Sequence, residues 1–444
     1  MSLAERALNN AAIRETAKIT TPTWMLNSLE RVMEYYTERH LCLDTQACDT
    51  MPAPMPGRKY MLYAHVPFCH TLCSFCTFHR FLFKEDKARA YFHSLRAEMD
   101  MAKALGYDFE ELYIGGGTTT VLVDELAKTI EHARKLFPSI KQVSCESDPL
   151  HLTSMEFTQL HGLVDRLSVG VQSFDRDILA RTDRLEKFGE PEVIYEKLAR
   201  AKENFPILSV DMIFGFAGQT QDVIRKDMET LVRLAPTQIT TYPLMVTHQT
   251  RKSAKGTLAN NDQDIARDYE LILNTLNGHY DQMTAWSFGK KADQSFDEYV
   301  VNYDDYLGVG SGSFSFLHDT LYVNSFSLRK YQEKIAAGKM GVESSKYYNE
   351  KAVMQYRFLL NLFGGRLSKS YFKDNFGKSL WGGLTKEMAF MKATGGLIQD
   401  PSDPDKLQAT PNGLMMGVLM MKNFYAGMDN VRAELRRPLK AGDM

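Results

Sequence analysis

The chain has 444 residues, 44% of them hydrophobic, and a formal net charge of -2. That length exceeds one simple core and points to one large domain with additions, while the near-zero charge offers no electrostatic case for nucleic acid or a membrane surface as partner. No apolar run approaches a membrane span, and the N-terminal MSLAERALNNAAIRETAK lacks the apolar core of a signal peptide, so a cytoplasmic protein is expected.

In chain order, residues 24–38 carry helical periodicity, with Met25, Leu26, Leu29, Val32, Met33 and Tyr36 on related faces. Residues 51–57 hold three prolines and a glycine and read as a linker. Residues 1–58 are thus expected to form an N-terminal arm, which either covers an active-site mouth or simply packs. Strand-like runs follow at 60–66, 111–114, 143–146, 166–171, 208–214, 238–244 and 283–288. Amphipathic helical stretches lie between most of them, at 88–105, 123–136, 154–161, 192–203, 221–234 and 263–277. Such alternation predicts an α/β fold with a parallel sheet, curled by right-handed crossovers into a partial (β/α)6 TIM-type barrel over 59–290. Ligands then belong at the carboxyl ends of the strands. Residues 291–335 read as a core extension with short strands. Residues 336–444 read as a mostly helical C-terminal domain, with helices at 346–363, 385–394 and 414–435. Its Met415, Met416, Met420 and Met421 suit either an ordinary core or a pliable ligand surface.

The chemistry centres on KYMLYAHVPFCHTLCSFCTFHRFLF, residues 59–83. Of six cysteines, Cys69, Cys73 and Cys76 fall in a C-x3-C-x2-C array just after the first strand, a metal-binding rather than a disulfide pattern in a reducing compartment. Three thiolates can hold a four-iron cluster by three corners and leave the fourth iron open. Cys42 and Cys48 have no usual metal spacing. Tyr63 and His65 share one strand face. Phe75, between the last two cysteines, can shield a cluster or stack on a nucleoside. Gly115, Gly116, Gly117, Thr118 and Thr119 follow the second strand, where glycine lets backbone approach a ligand. The lysine of a phosphate loop is missing there. Glu146, Gln172 and Asp211 stand on successive strands, and Arg184 can offer a carboxylate a two-pronged donor. Each could be an ion-pair member; together they suit a polar ligand.

LYAHVPFCHTLCSFC, YIGGGTTT, SCESDP, RLSVGVQSFD and DMIFGFAGQT, in this order over residues 60–220, resemble the oxygen-independent coproporphyrinogen dehydrogenase and heme chaperone (HemN/HemW) family of radical S-adenosylmethionine (SAM) proteins. YLGVGSGSFSF resembles that family's G-x-G-x-G-A strand and loop. The resemblance implies a [4Fe-4S] cluster on Cys69, Cys73 and Cys76, the catalytic metal ligands. It implies SAM held by Gly116, Gly117, Thr118, Glu146, Gln172, Arg184 and Asp211, with Tyr63 beside the cluster and a second SAM near Phe75. Two departures narrow the choice. Phe78 stands where the dehydrogenase has a further cysteine, and Phe296-Asp297-Glu298-Tyr299-Val300-Val301 replaces the heme chaperones' His-Asn-x-x-Tyr-Trp motif. The tail LMMGVLMMKNFYAGMDNVRAELR resembles a third branch, the anaerobic heme-degrading methyltransferases of the ChuW/HutW type (anaerobilin synthases). That branch implies a radical SAM C-methyltransferase that opens heme, frees iron and yields a methylated linear tetrapyrrole, with a flavodoxin-type electron donor. The other branches imply coproporphyrinogen III dehydrogenation or heme carriage. Heme contacts would come from Phe78, His79, Arg80 and Phe81, from Tyr242, His248 and Arg251, or from His318, though each lone histidine or arginine among them reads first as a solvated loop residue.

Overall fold

The computed structural model describes residues 16–43, 49–245, 262–290 and 299–439. Cys48, His248, Arg251 and residues 296–298 of the expected heme-motif position lie outside the described residues.

Helix α1, Thr23–His40, precedes the sheet. The strands are β1 Tyr60–Val66, β2 Glu111–Gly116, β3 Gln142–Ser147, β4 Arg166–Gln172, β5 Ile207–Phe214, β6 Gln238–Pro243, β7 Asp281–Gln282, β8 Ser287–Gly289, β9 Asp305–Val309, β10 Phe314–Leu317, β11 Thr320–Asn324 and β12 Val342–Tyr347. They form one sheet in the order β12-β11-β10-β9-β1-β2-β3-β4-β5-β6-β8-β7. From β9 through β6 every neighbour is parallel. The crossovers run through α2 Glu85–Ala104, α3 Val123–Leu136, α4 Ser154–Leu160, α5 Pro191–Asn204, α6 Gln221–Leu234 and α7 Asp262–Leu276. A sheet covered on both faces demands apolar strands, and β1 is buried at every position except Tyr63. The result is the expected partial barrel.

Local chemistry sets the ends. Thr220 caps α6 by accepting the Val223 amide, and Ala235 closes it in the left-handed region. At 283–288 a full strand is expected, but only Ser287–Gly289 forms one, antiparallel to β6. Thr284 Oγ1 takes the amides of Trp286 and Ser287 at 3.2 and 3.0 Å, so the chain turns instead of extending. The helix expected over 346–363 begins later. Residues Val342–Tyr347 pair with β11, and Asn349 then caps α8, Glu350–Phe363, by accepting the Ala352 amide.

The long helix α9, Pro411–Arg436, starts on a Thr410 cap with proline in its first turn. Its Met415 and Met416 are core residues. Helix α1 lies along α9, tied by Lys422 Nζ to Glu30 at 2.9 Å, and Gly427 lets Thr37 and Leu41 approach. Residues 51–57 lack regular structure but are held, Tyr107 donating to the Pro52 carbonyl and the Met55 amide donating to Tyr60, both at 2.8 Å. Among the described residues no helix is long and apolar enough to cross a membrane.

Candidate functional site

The loop after β1 is a knot. Phe68–Cys69 pairs with Phe81–Leu82, so the cysteine segment is closed at its base. The Arg80 guanidinium donates to the Cys73 and Cys76 carbonyls at 2.6 and 2.8 Å. His79 is fully buried between Phe81 and Phe326, with Nε2 on Ser311 Oγ at 3.3 Å. Both residues were candidate heme contacts, and both instead serve the loop. Beneath them Tyr63 OH meets His65 Nδ1 at 2.9 Å, and His65 Nε2 meets the His79 carbonyl at 3.0 Å. Burial pushes His65 down to about 4, so it is a neutral strut.

Each sulfur of the trio has a donor. Thr118 Oγ1 lies 3.7 Å from Cys69 Sγ, an Arg184 nitrogen lies 3.6 Å from Cys73 Sγ, and the Phe78 amide donates to Cys76. Burial, and then the neighbouring Cys76, pushes the Cys69 thiol up to about 11; burial also raises Cys76. Without a metal Cys69 and Cys76 would be thiols, since desolvation outweighs their donors. A Cβ at Gly117 would come within 2.5 Å of the Phe68 carbonyl oxygen and 3.0 Å of Cys69 Sγ, and Gly116 has φ +121°, so glycine is required at both.

Around this loop stand the strand-end groups. Glu146 accepts from Tyr113 OH and the Gly116 amide, both at 2.9 Å, while burial raises its carboxyl. Asp211 accepts from Ser168 Oγ at 2.8 Å inside the barrel and is likewise raised by burial. Gln172 is held at φ 78°, and its buried Oε1 has no partner. Arg184 donates to the Gly170 carbonyl, stacks over Phe188 at 4.6 Å and over Phe75 at 5.8 Å, and leaves its buried Nε unpaired. The edge thus offers an idle acceptor and an idle donor beside the cysteines. Sequence reasoning missed Asp148, which accepts from Thr118 at 3.2 Å, Lys187 at 2.7 Å and His151 Nδ1 at 2.9 Å. Burial would raise this carboxyl; His151 and Lys187 hold it well below the usual range. The Asp148 of SCESDP was in view, but nothing near Lys187 pointed to it.

A second feature is a cavity of about 770 Å³ between α1, α8, α9 and strands β9–β11. Its walls combine aliphatic and thioether side chains with many rings, among them Tyr36, Phe316, Tyr356 and Phe424. Arg432 forms one end and stacks at 5.5 Å on Phe78 of the cysteine loop and on Phe314. Asp429, one turn earlier on α9, bonds the Thr77 hydroxyl. The cavity therefore abuts the cysteine loop through one side-chain layer. Met420, Met421 and Met428 line it, so α9 contributes to both core and cavity. Two candidate heme contacts lie elsewhere. His318 Nε2 is 3.1 Å from Tyr60 OH, at the opposite end of β1 from the cysteines, and Tyr242 packs on Trp286.

Residues 63–231 match the radical SAM superfamily. These residues form a radical SAM domain. The whole chain is 28% identical over 372 residues to the heme chaperone HemW of Bacillus subtilis (strain 168), covering 80% of this chain and 96% of that one. It is 24% identical over 407 residues to the oxygen-independent coproporphyrinogen III oxidase of Helicobacter pylori (strain J99 / ATCC 700824), covering 85% and 88%. The solved coproporphyrinogen III oxidase HemN of Escherichia coli shares the fold with a TM-score of 0.66, at 21% identity, over 84% of this chain and 91% of that one. None of these three is a heme-degrading methyltransferase.

The radical SAM cofactors are a [4Fe-4S] cluster and SAM, and the residues present fit them. Three cysteines with one donor each suit three thiolates, and the unpaired Gln172 Oε1 and Arg184 Nε face the same edge. Among the described residues no three His, Cys, Asp or Glu side chains converge on a single metal ion. Cys42 is exposed and unpaired, and Cys145 is buried with its thiol pushed up, so neither belongs to this site.

Proposed function

We propose that this radical SAM protein acts on a tetrapyrrole held in the aromatic cavity, and that its reaction is the anaerobic opening of heme by methyl transfer. The observation that carries the substrate class is the cavity itself. Its 770 Å³ and ring-lined walls suit a flat macrocycle, and its Arg432 end touches the cysteine loop. The relatives' names, heme chaperone and coproporphyrinogen oxidase, support the same class.

When bound, the cofactors supply one-electron cleavage of a sulfonium carbon–sulfur bond, which yields a carbon radical. Cys69, Cys73 and Cys76 would hold the cluster, with electrons from a flavodoxin-type donor. Glu146, Gln172, Arg184 and Asp211 would hold SAM with Gly116, Gly117 and Thr118, and Tyr63 would pack beside the cluster. Phe75, wedged against Phe216 at 5.8 Å, would wall the SAM side and border a second SAM. The chain's part is orientation and exclusion of water: Arg432, stacked on Phe78, stands between cavity and loop.

Two features favour ring opening over the relatives' own reactions. Phe78 replaces a cysteine expected of the dehydrogenase, and the cavity presents few cations, Arg31, Lys386 and Arg432, against the four carboxylates of coproporphyrinogen. Dehydrogenation remains the second reading, favoured by the coproporphyrinogen oxidases among the relatives. Anaerobic incubation with SAM, a strong reductant and either heme or coproporphyrinogen III, followed by mass spectrometry, separates them. A ring-opened methylated tetrapyrrole is expected. Vinyl products from coproporphyrinogen establish the second reading instead, and intact bound heme with no SAM cleavage establishes carriage.

A further inference from the structure

Of the histidines among the described residues, His40 is the one that lines the cavity. It is the last residue of α1, and its position is fixed from outside. Tyr348 OH donates to its carbonyl at 2.7 Å, and its ring lies parallel to Tyr36, 5.8 Å between centroids and 5° between planes. Four other histidines near the barrel already hold a hydrogen-bond partner. His65 uses both ring nitrogens, His79 bonds Ser311, His151 bonds Asp148, and His318 bonds Tyr60. The His40 imidazole has no hydrogen-bond partner among the described residues. Burial, followed by the charges of Arg39 and Lys346, favours its neutral form, the form that ligates a metal.

We infer that His40 is the axial ligand to the iron of a heme substrate bound in this cavity, with the macrocycle against the Tyr356 and Phe424 rings. This rests on the tetrapyrrole reading above. Neutral imidazole is a standard donor to heme iron. Tyr356 and Phe424 lie 5.8 Å apart and 33° from parallel, and Phe316 follows at 5.1 Å, giving a continuous aromatic wall. Arg31 and Lys386 are both exposed and line the cavity, where they can meet two propionates at the solvent edge. Ligation from α1 would fix the macrocycle in its own plane, which stacking alone leaves free to rotate. The N-terminal arm would then be part of the substrate site rather than a cover over it.

The test titrates the full-length, cluster-loaded protein without oxygen with ferric heme and with iron-free protoporphyrin IX, and records resonance Raman spectra of the reduced heme complex. Wild type is expected to show an iron–histidine stretch. His40→Ala should lose that band and bind heme at least about tenfold more weakly, added imidazole should restore the band, and iron-free protoporphyrin should bind both proteins alike. The porphyrin arm also shows that the variant is folded. If His40→Ala keeps the band and the affinity, the ligand assignment is wrong while the tetrapyrrole reading stands. If wild type binds neither heme nor porphyrin, both fall together.

Discussion

At the carboxyl edge of the barrel, buried polar groups are held one by one. Glu146 has a tyrosine and an amide, Asp211 has a serine, and Asp148 has a lysine, a histidine and a threonine. Around the cavity, by contrast, most neighbours are rings, aliphatic side chains and thioethers, with a few polar groups such as Arg31, Lys386 and Arg432 among them. The difference teaches which residues are replaceable. A buried charge that loses its partner costs free energy at once, whereas an apolar wall tolerates exchange at similar volume. The barrel edge should therefore fail residue by residue, whereas the apolar walls of the cavity should fail only when their shape is filled.

The sharpest break is at the cysteines. Cys73→Ala is expected to abolish SAM cleavage and to lower iron content after anaerobic reconstitution, because no other described cysteine lies near enough to substitute. Full cleavage in this variant, measured as methionine released, would remove the barrel edge from the chemistry. Next in size is a change of shape. Ala352 lines the cavity from α8 and is partly exposed. Ala352→Trp should weaken porphyrin binding by about tenfold or more, while iron–sulfur content is retained. Unchanged porphyrin affinity, read by fluorescence quenching, would move the substrate elsewhere.

A third variant probes the paired charges. Asp148→Asn leaves Lys187 charged, with its side chain only 8% exposed, so unfolding should become easier by about 3 kcal/mol. Thr118 also loses its acceptor beside Cys69, so SAM cleavage should slow several-fold. The pH dependence has a definite sign. The Asp148 carboxyl is held low in the folded chain, so its contribution is present above the unfolded carboxylate value and is lost as pH falls through the folded one. Acid melts of wild type should show this loss, and those of Asp148→Asn should lack it.

How much of each region the sequence disclosed follows from the same contrast. The cysteine array, the glycine run and the strand-end Glu146, Gln172 and Asp211 were legible because that site depends on residue identity at short spacing. The Asp148–Lys187 pair was not, since its members are 39 positions apart and meet only after β4 is laid beside β3. The cavity was not legible at all. The apolar face of α1 announces that it packs, not that it packs so as to leave a space. His79 and Arg80 stay ambiguous in the sequence for a related reason: a basic residue beside a cofactor loop can be a ligand or a brace until its carbonyl and hydroxyl partners are known. Lys346 fell in a strand because β11 offered an open edge, which no helical periodicity in 346–363 could reveal.

The smallest functional effect belongs to a buried carboxyl that the chemistry does not use. Asp227, on α6, accepts from Ser173 Oγ and the Phe174 amide, both at 2.7 Å, just after Gln172. Burial pushes it up to about 7. A group raised in the folded state stabilises fully below its unfolded value and loses that contribution as pH rises through the folded one. Wild type should thus melt at lower temperature at pH 8 than at pH 5.5 on this account. Asp227→Asn copies the neutral acid: its oxygen can take the Phe174 amide and its nitrogen can face Ser173. SAM cleavage and porphyrin binding should stay within about twofold of wild type, and the difference between the two melting temperatures should shrink. A variant that melts well below wild type at pH 5.5 would mean that the ionised carboxylate is the native form. The strained Gln172 backbone at φ 78° would then be braced by a charge rather than by a neutral hydrogen-bonded group.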